Sequence, residues 1–189
     1  MTTTRARAFA RPILLAAFAA VCAAAPAARA ATLPVGDKPP TVSLSGDDGG
    51  RTDGSPWSSD MIKGKVYVLF YVDPDHESAN PDLEKGLKDA NLPHDKFGTI
   101  AVINMAATWK PNAIISSVLK SRQEEFPDTI YVKDYDSVLV KKWKMTDKDY
   151  DVVVFDKQGK VLLARDGEFT KAQVTELIEL VRKHLDDPS

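Results

Sequence analysis

"VYVLFYVDPDHESANPDL" occupies residues 66–83 of a 189-residue chain. Its first seven residues, Val66 to Val72, are β-branched, leucine or aromatic, with no strongly polar residue among them. A strand covered on one face alternates apolar with polar; an unbroken run of this length reads as a strand buried on both. The chain then changes character. "DPDHES" is turn-forming, Asn80 can cap a helix, and Pro81 suits a first helical position. Leu83, Leu87 and Ala90 recur on one helical face. The stretch therefore reads as a buried strand, a loop and a helix.

Outward from this unit the alternation continues. Phe97 to Ala107 reads as a second buried strand, and residues 113–125 as a helix with Ile115, Val118 and Leu119 on one stripe. "DTIYVKD" is a third strand, and Ser137 to Trp143 a short helix. "YDVVVFDKQGKVLLARDG" reads as a hairpin turning through Asp156-Lys157-Gln158-Gly159. Thr170, with Gln173 three residues on, forms a capping box. It opens a final helix with an apolar stripe of Val174, Leu177, Ile178, Val181 and Leu185. Upstream, residues 32–64 are rich in Gly, Pro, Ser and Asp, with one short alternating run at Thr41 to Ser45. The order is β, β-α-β-α-β, β-β-α. It implies parallel strands joined by helices and an antiparallel hairpin: an α/β fold, a three-layer sandwich with a central mixed sheet and helices on both faces.

The N-terminus has a different signature. Residues 1–30 carry Arg5, Arg7 and Arg11, no acidic residue, an apolar run from Ile13 to Ala25 and a terminal Ala28-Arg29-Ala30. That is the pattern of a cleaved secretory signal peptide, and its apolar run is shorter than the roughly 20 residues of a membrane span. Export without a membrane span after cleavage is the expectation, with residues 31–189 as one domain. The chain's one cysteine, Cys22, lies in this leader. A mature chain would have neither a disulfide nor a thiol nucleophile, although its destination permits disulfides. Removing the leader's four arginines from the 25 Lys and Arg, against 27 Asp and Glu, leaves a formal charge of −6. Such acidity opposes binding to nucleic acid or to an anionic membrane surface.

Several pieces resemble known proteins. "KGKVYVLFYV" and "VVVFDKQGKVLLARDGEFT" are similar to the redoxin and TlpA-like branch of the thioredoxin superfamily. More narrowly, the chain resembles the YtfJ family of small exported bacterial proteins. The matching pieces are Trp57-Ser58-Ser59 ahead of Gly64-Lys65-Val66, "LPHD" at Leu92 to Asp95, Phe155 to Val161, and Ala164 to Gly167. What the resemblance implies is a thioredoxin-like fold, a periplasmic location and no established activity. Where a thioredoxin carries Cys-x-x-C at a helix N-terminus that lowers a thiol pKa, this chain has Asp73, Pro74, Asp75 and His76. At the place of the facing cis-proline, counted back from Gly159, stands Asp151. No catalytic residue carries over, and the chain is not a thiol-disulfide oxidoreductase.

Candidate residues gather around that loop. Asp73, Asp75 and His76 lie after a strand's C-terminal end, where ligands of open α/β sheets usually sit. Asp151 is expected to face them. Carboxylates and imidazole also suit a divalent ion, and the alternative reading is a divalent-metal-binding protein or metal-dependent enzyme using Asp73, Asp75 and His76. His76 oriented by an aspartate could act as a general base, but no nucleophile accompanies it, so the sequence defines no enzyme. Trp109, in "ATWKPN" after a strand, is placed on the same rim and can anchor a partner. Trp57 and Trp143 are further anchor candidates, although a tryptophan in a domain of this size more often plugs the core edge. His94 is expected to bond a helix-terminal carbonyl or pair with Asp95, and His184 to lie on a solvated face. The alternating charges of residues 133–151 read as solvated surface. No phosphate loop, Ser-His-Asp order or Cys/His cluster appears, and no cofactor is implied. The expectation is a non-catalytic binding or accessory module, with the partner left open between a protein, a peptide and a small ligand.

Overall fold

The computed structural model describes residues 33–188; the leader, with Cys22, lies outside the described residues. Twelve elements follow in chain order: β1 (Ser43–Leu44), β2 (Gly49–Arg51), β3 (Trp57–Ser58), β4 (Val66–Val72), α1 (Pro81–Asp89), β5 (Phe97–Asn104), α2 (Asn112–Glu125), β6 (Thr129–Asp134), α3 (Val138–Trp143), β7 (Tyr150–Phe155), β8 (Val161–Asp166) and α4 (Lys171–His184). β1 and β3 pair with each other, and the remaining strands form one sheet in the order β2-β6-β5-β4-β7-β8. β4, β5 and β6 are parallel, while β7, β8 and β2 run antiparallel to their neighbours. This is the expected mixed sheet, with β4 at its centre.

The unbroken apolar run of β4 has the expected cause. Val66, Val68, Phe70 and Val72 pack under α1, α2 and α4 together with Leu83, Leu119, Leu177 and Val181. Leu69 and Tyr71 enter the opposite layer, built from α3, Trp57 and the segment from Leu33 to Ile62. Trp57 and Trp143 are core residues, and the Trp143 indole N–H donates to Pro40 O at 2.7 Å, holding the N-terminal segment against the sheet. Edge strand β2 depends on Gly49. Its φ is +135°, and a Cβ there would stand 1.9 Å from Lys133 O, so a side chain would separate β2 from β6. Among the described residues no helix is long and apolar enough to cross a membrane.

Local expectations hold at Thr170, whose side chain and that of Gln173 form the capping box. Three others are corrected. Asn80 sits at the N-cap of α1, yet its side chain does not cap. It is buried and instead accepts from Phe169 N (2.7 Å) and donates to Gly167 O (3.1 Å), tying α1 to the start of α4. Val118 is 45% exposed, because α2 rests on the sheet through Ile115 and Leu119 and turns its Val118 edge toward a gap beside α1. The 133–151 segment is not simply solvated surface: Asp134, Leu139, Trp143 and Met145 within it are buried.

Candidate binding rim

At the C-terminal end of β4, Asp73 continues the strand for one residue, donating its N–H to Asp149 O at 3.0 Å. The chain then turns on its own side chain. Asp73 Oδ1 accepts from Asp75 N (2.8 Å), and Oδ2 lies 3.3 Å from His76 Nδ1. This is the Asx turn expected of such a sequence. Asp73 is buried, whereas the His76 side chain is half exposed. The imidazole thus has an orienting carboxylate, but no hydroxyl is bonded to it among the described residues, which leaves a base without a nucleophile.

Asp75 does something different. One oxygen accepts from Thr108 Oγ1 and the other from Lys110 Nζ, both at 2.8 Å, while Lys110 Nζ also donates to Pro74 O at 3.1 Å. Lys110, then Thr108, holds the Asp75 carboxyl below the usual carboxylate range, and Asp75 in turn raises the lysine. Two loops that follow neighbouring parallel strands are so clamped together. Between the two clamping residues stands Trp109, 87% exposed. Ile114 and Val118, one helical turn apart on α2, are also exposed apolar side chains.

Asp151 is not part of this group. In β7 it lies opposite Tyr71 of β4 and is fully buried on the α3 side of the sheet. Its Oδ2 accepts from Thr146 N at 3.0 Å, Thr146 Oγ1 donates to Asp166 Oδ2 at 3.2 Å, and Oδ1 has no hydrogen-bond partner. Burial pushes its carboxyl up to about 7; Thr146 lowers it, and the charges of Asp166 and Asp149 add to the rise. The residue that meets Asp73 is Asp149, through its backbone. Asp151 lies inside β7, opposite Tyr71, so the alternation of strand side chains sends it to the α3 face while the chain before the strand meets Asp73.

The metal alternative fails on geometry. Among the described residues no three His, Cys, Asp or Glu side chains are placed to share an ion. Asp75 is taken up by Lys110 and Thr108, Asp73 by its own turn, and Asp151 lies on the other side. The histidines are corrected too: His94 pairs with Asp128 (3.1 Å), and His184 is half-buried against Asp187.

A buried polar cluster escaped the sequence reading. Asp134, fully buried at the end of β6, accepts from Tyr71 Oη (3.1 Å), Val138 N (2.8 Å) and Leu139 N (3.0 Å). Beside it Ser137 Oγ donates to Asn104 Oδ1 (2.8 Å), and Asn104 Nδ2 to Asp147 Oδ1 (3.0 Å). Burial, reinforced by Asp134, raises the Tyr71 phenol far above its ordinary value. The cluster docks α3, whose first amide groups have no partner within the helix. The available signal was an aspartate four residues ahead of an apolar helical run.

Six strands in this order, with the helices on both faces and a strand–loop–helix junction at the sheet's centre, define a thioredoxin-like protein that lacks the dithiol. Solved structures agree on the fold. A putative thiol:disulfide interchange protein DsbE from Chlorobium tepidum superposes with a TM-score of 0.57 at 19% identity, covering 81% of this chain and 99% of its own. The exposed lipoprotein thioredoxin Etrx1 of Streptococcus pneumoniae gives 0.51 at 16% identity, covering 74% and 98%. The family model for YtfJ, a bacterial protein of unknown function, matches residues 44–184, and the chain belongs to that family. The uncharacterized protein YtfJ of Escherichia coli K12 is 30% identical over 132 residues, 68% of this chain and 72% of its own.

Proposed function

We propose that this protein is an exported, non-redox member of the thioredoxin fold that acts as a binding or accessory module, holding a protein partner at the rim around Trp109. The leader of residues 1–30 supports export to the periplasm. The absence of a cysteine pair from the whole chain supports a role outside dithiol exchange. The observation that carries the reading is Trp109 itself. Its indole is 87% exposed although its loop is anchored on both sides of it to Asp75. Exposing a large aromatic to water is unfavourable, and tryptophan held in place is the side chain most enriched among interface anchors. A rigid loop lowers the ordering cost of binding.

The test is site-specific photocrosslinking in cells that make the protein. A photoreactive phenylalanine at position 109 is expected to give a discrete adduct that is missing when it stands at exposed Lys171 on α4. Equal adduct patterns at the two positions would refute the rim.

A further inference from the structure

Between α1 and α2 the sheet is left open in a cavity of about 750 Å³. Its floor is β5, where Phe97, Thr99, Ala101 and Ile103 alternate onto one face and all line it. The two central residues are small and the outer two large, which makes a trough rather than a packed layer. A strand advances about 3.3 Å per residue, so this floor is about 20 Å long. Volumes of about 300–1,000 Å³ with mainly apolar and aromatic walls are those of small-molecule sites.

The walls carry charges of both signs that the protein does not neutralise. On the α1 side Glu84 accepts from the buried Tyr150 hydroxyl at 3.0 Å and has no cationic partner among the described residues. On the α2 side Arg122 has no anionic partner among the described residues. Other lining charges are paired: Lys85 with Asp89 and His94 with Asp128. Glu77, Lys88 and Glu125 keep both signs present. Burial raises the half-buried Tyr131 phenol; Arg122 opposes the rise while Glu84 and Glu125 add to it, so charges of both signs lie near one aromatic side chain in the cavity.

We propose that this cavity binds a short apolar peptide with free termini, its ammonium directed to Glu84 and its carboxylate to Arg122, with its side chains along the Thr99–Ala101 trough. A hydrocarbon would desolvate both charges without replacing their water. A fatty carboxylate would answer Arg122 and set an anion near Glu84; an alkylamine would do the reverse. A zwitterion with an apolar body complements both walls. The cavity adjoins the rim through Val118 and Glu77 but does not include Trp109, so each proposal is tested by its own residues.

Calorimetric titration of the intact chain with trileucine at pH 7 tests it. Saturable binding is expected. Glu84→Gln keeps an acceptor for Tyr150 but loses the charge, and it should weaken binding about ten-fold or more, as should Arg122→Gln, since each removes a charge-assisted hydrogen bond. N-acetyl-trileucine and trileucine amide should lose as much against the parent protein. Thr99→Leu fills the trough and should abolish binding; if it fails to fold, the two helix-surface variants decide. Lys171→Ala, on exposed α4 surface away from the cavity, should bind as the parent does. No binding of trileucine at millimolar concentration would overturn the proposal. So would capped peptides or decanoate binding as tightly as trileucine, or Glu84→Gln and Arg122→Gln without effect.

Discussion

Asp75 and Asp151 lie near the same end of the sheet and behave as different chemical groups. Asp75 stands in solvent with a lysine and a threonine on its two oxygens, and its carboxyl is held low. Asp151 is fully buried with one backbone N–H on one oxygen and nothing on the other, and its carboxyl rises to about 7. Water and a cation favour the carboxylate; an apolar layer with a single donor favours the acid. The contrast separates the two halves of this end of the molecule. The exposed half is arranged to present side chains, and the buried half to hold α3 and β7 in place.

The largest effect expected from that contrast is a pH dependence. Asp151 has a folded pKa near 7 against about 3.9 unfolded, so below about pH 4 both states are protonated and its stabilising contribution is complete. From about pH 4 to 7 the unfolded chain releases this proton while the folded chain keeps it. Stability therefore falls across that window, by an amount on the order of 4 kcal/mol, and levels off above it. Asp151→Asn removes this slope. Urea midpoints of parent and variant should converge or cross as pH rises from 4 to 8, and parallel curves would erase the distinction between the two aspartates.

Next in size is Asp134→Ala, which strips the acceptor from the Tyr71 hydroxyl and two amides of α3. Buried donors left without partners cost about 1–3 kcal/mol each, so a loss of about 3 kcal/mol or more is expected in denaturant unfolding. A loss below about 1 kcal/mol would mean that water reaches the cluster. Smallest is Asp75→Ala. An exposed ion pair contributes little to global stability, so the unfolding midpoint should stay with the parent's. The clamp should nevertheless fail locally: amide exchange at Trp109 and Lys110 should quicken, and crosslinking from position 109 should drop. A large shift in the midpoint would show that the clamp is part of the fold rather than of the rim.

Much of the architecture was legible because it is written in short-range patterns. The unbroken run at Val66 to Val72, the turn at Asp156 to Gly159 and the Thr170–Gln173 box each lie within a few residues. Each fixes a local geometry whatever surrounds it. Trp109 was legible as a rim residue from its place after a strand, although its exposure depends on Asp75, 34 positions earlier in the chain. Asn80 shows the opposite case. Its position before Pro81 is that of a cap, but partners near residue 168 compete for the same side chain and win, because Phe169 N has no other acceptor.

By itself the sequence determined the order of strands and helices from β4 onward, the mixed sheet with a buried centre, and the lack of a cysteine pair; it read β2 and β3 as loop. These follow from residue type and from periodicities of two and 3.6 residues. Only the tertiary structure decided which aspartates meet solvent. It set Asp151 on the α3 side, away from Asp73 and His76, put Asp134 under α3, and opened the trough between α1 and α2. The physical reason is that burial and charge are properties of what packs across from a residue. In this chain those partners come from tens of residues away.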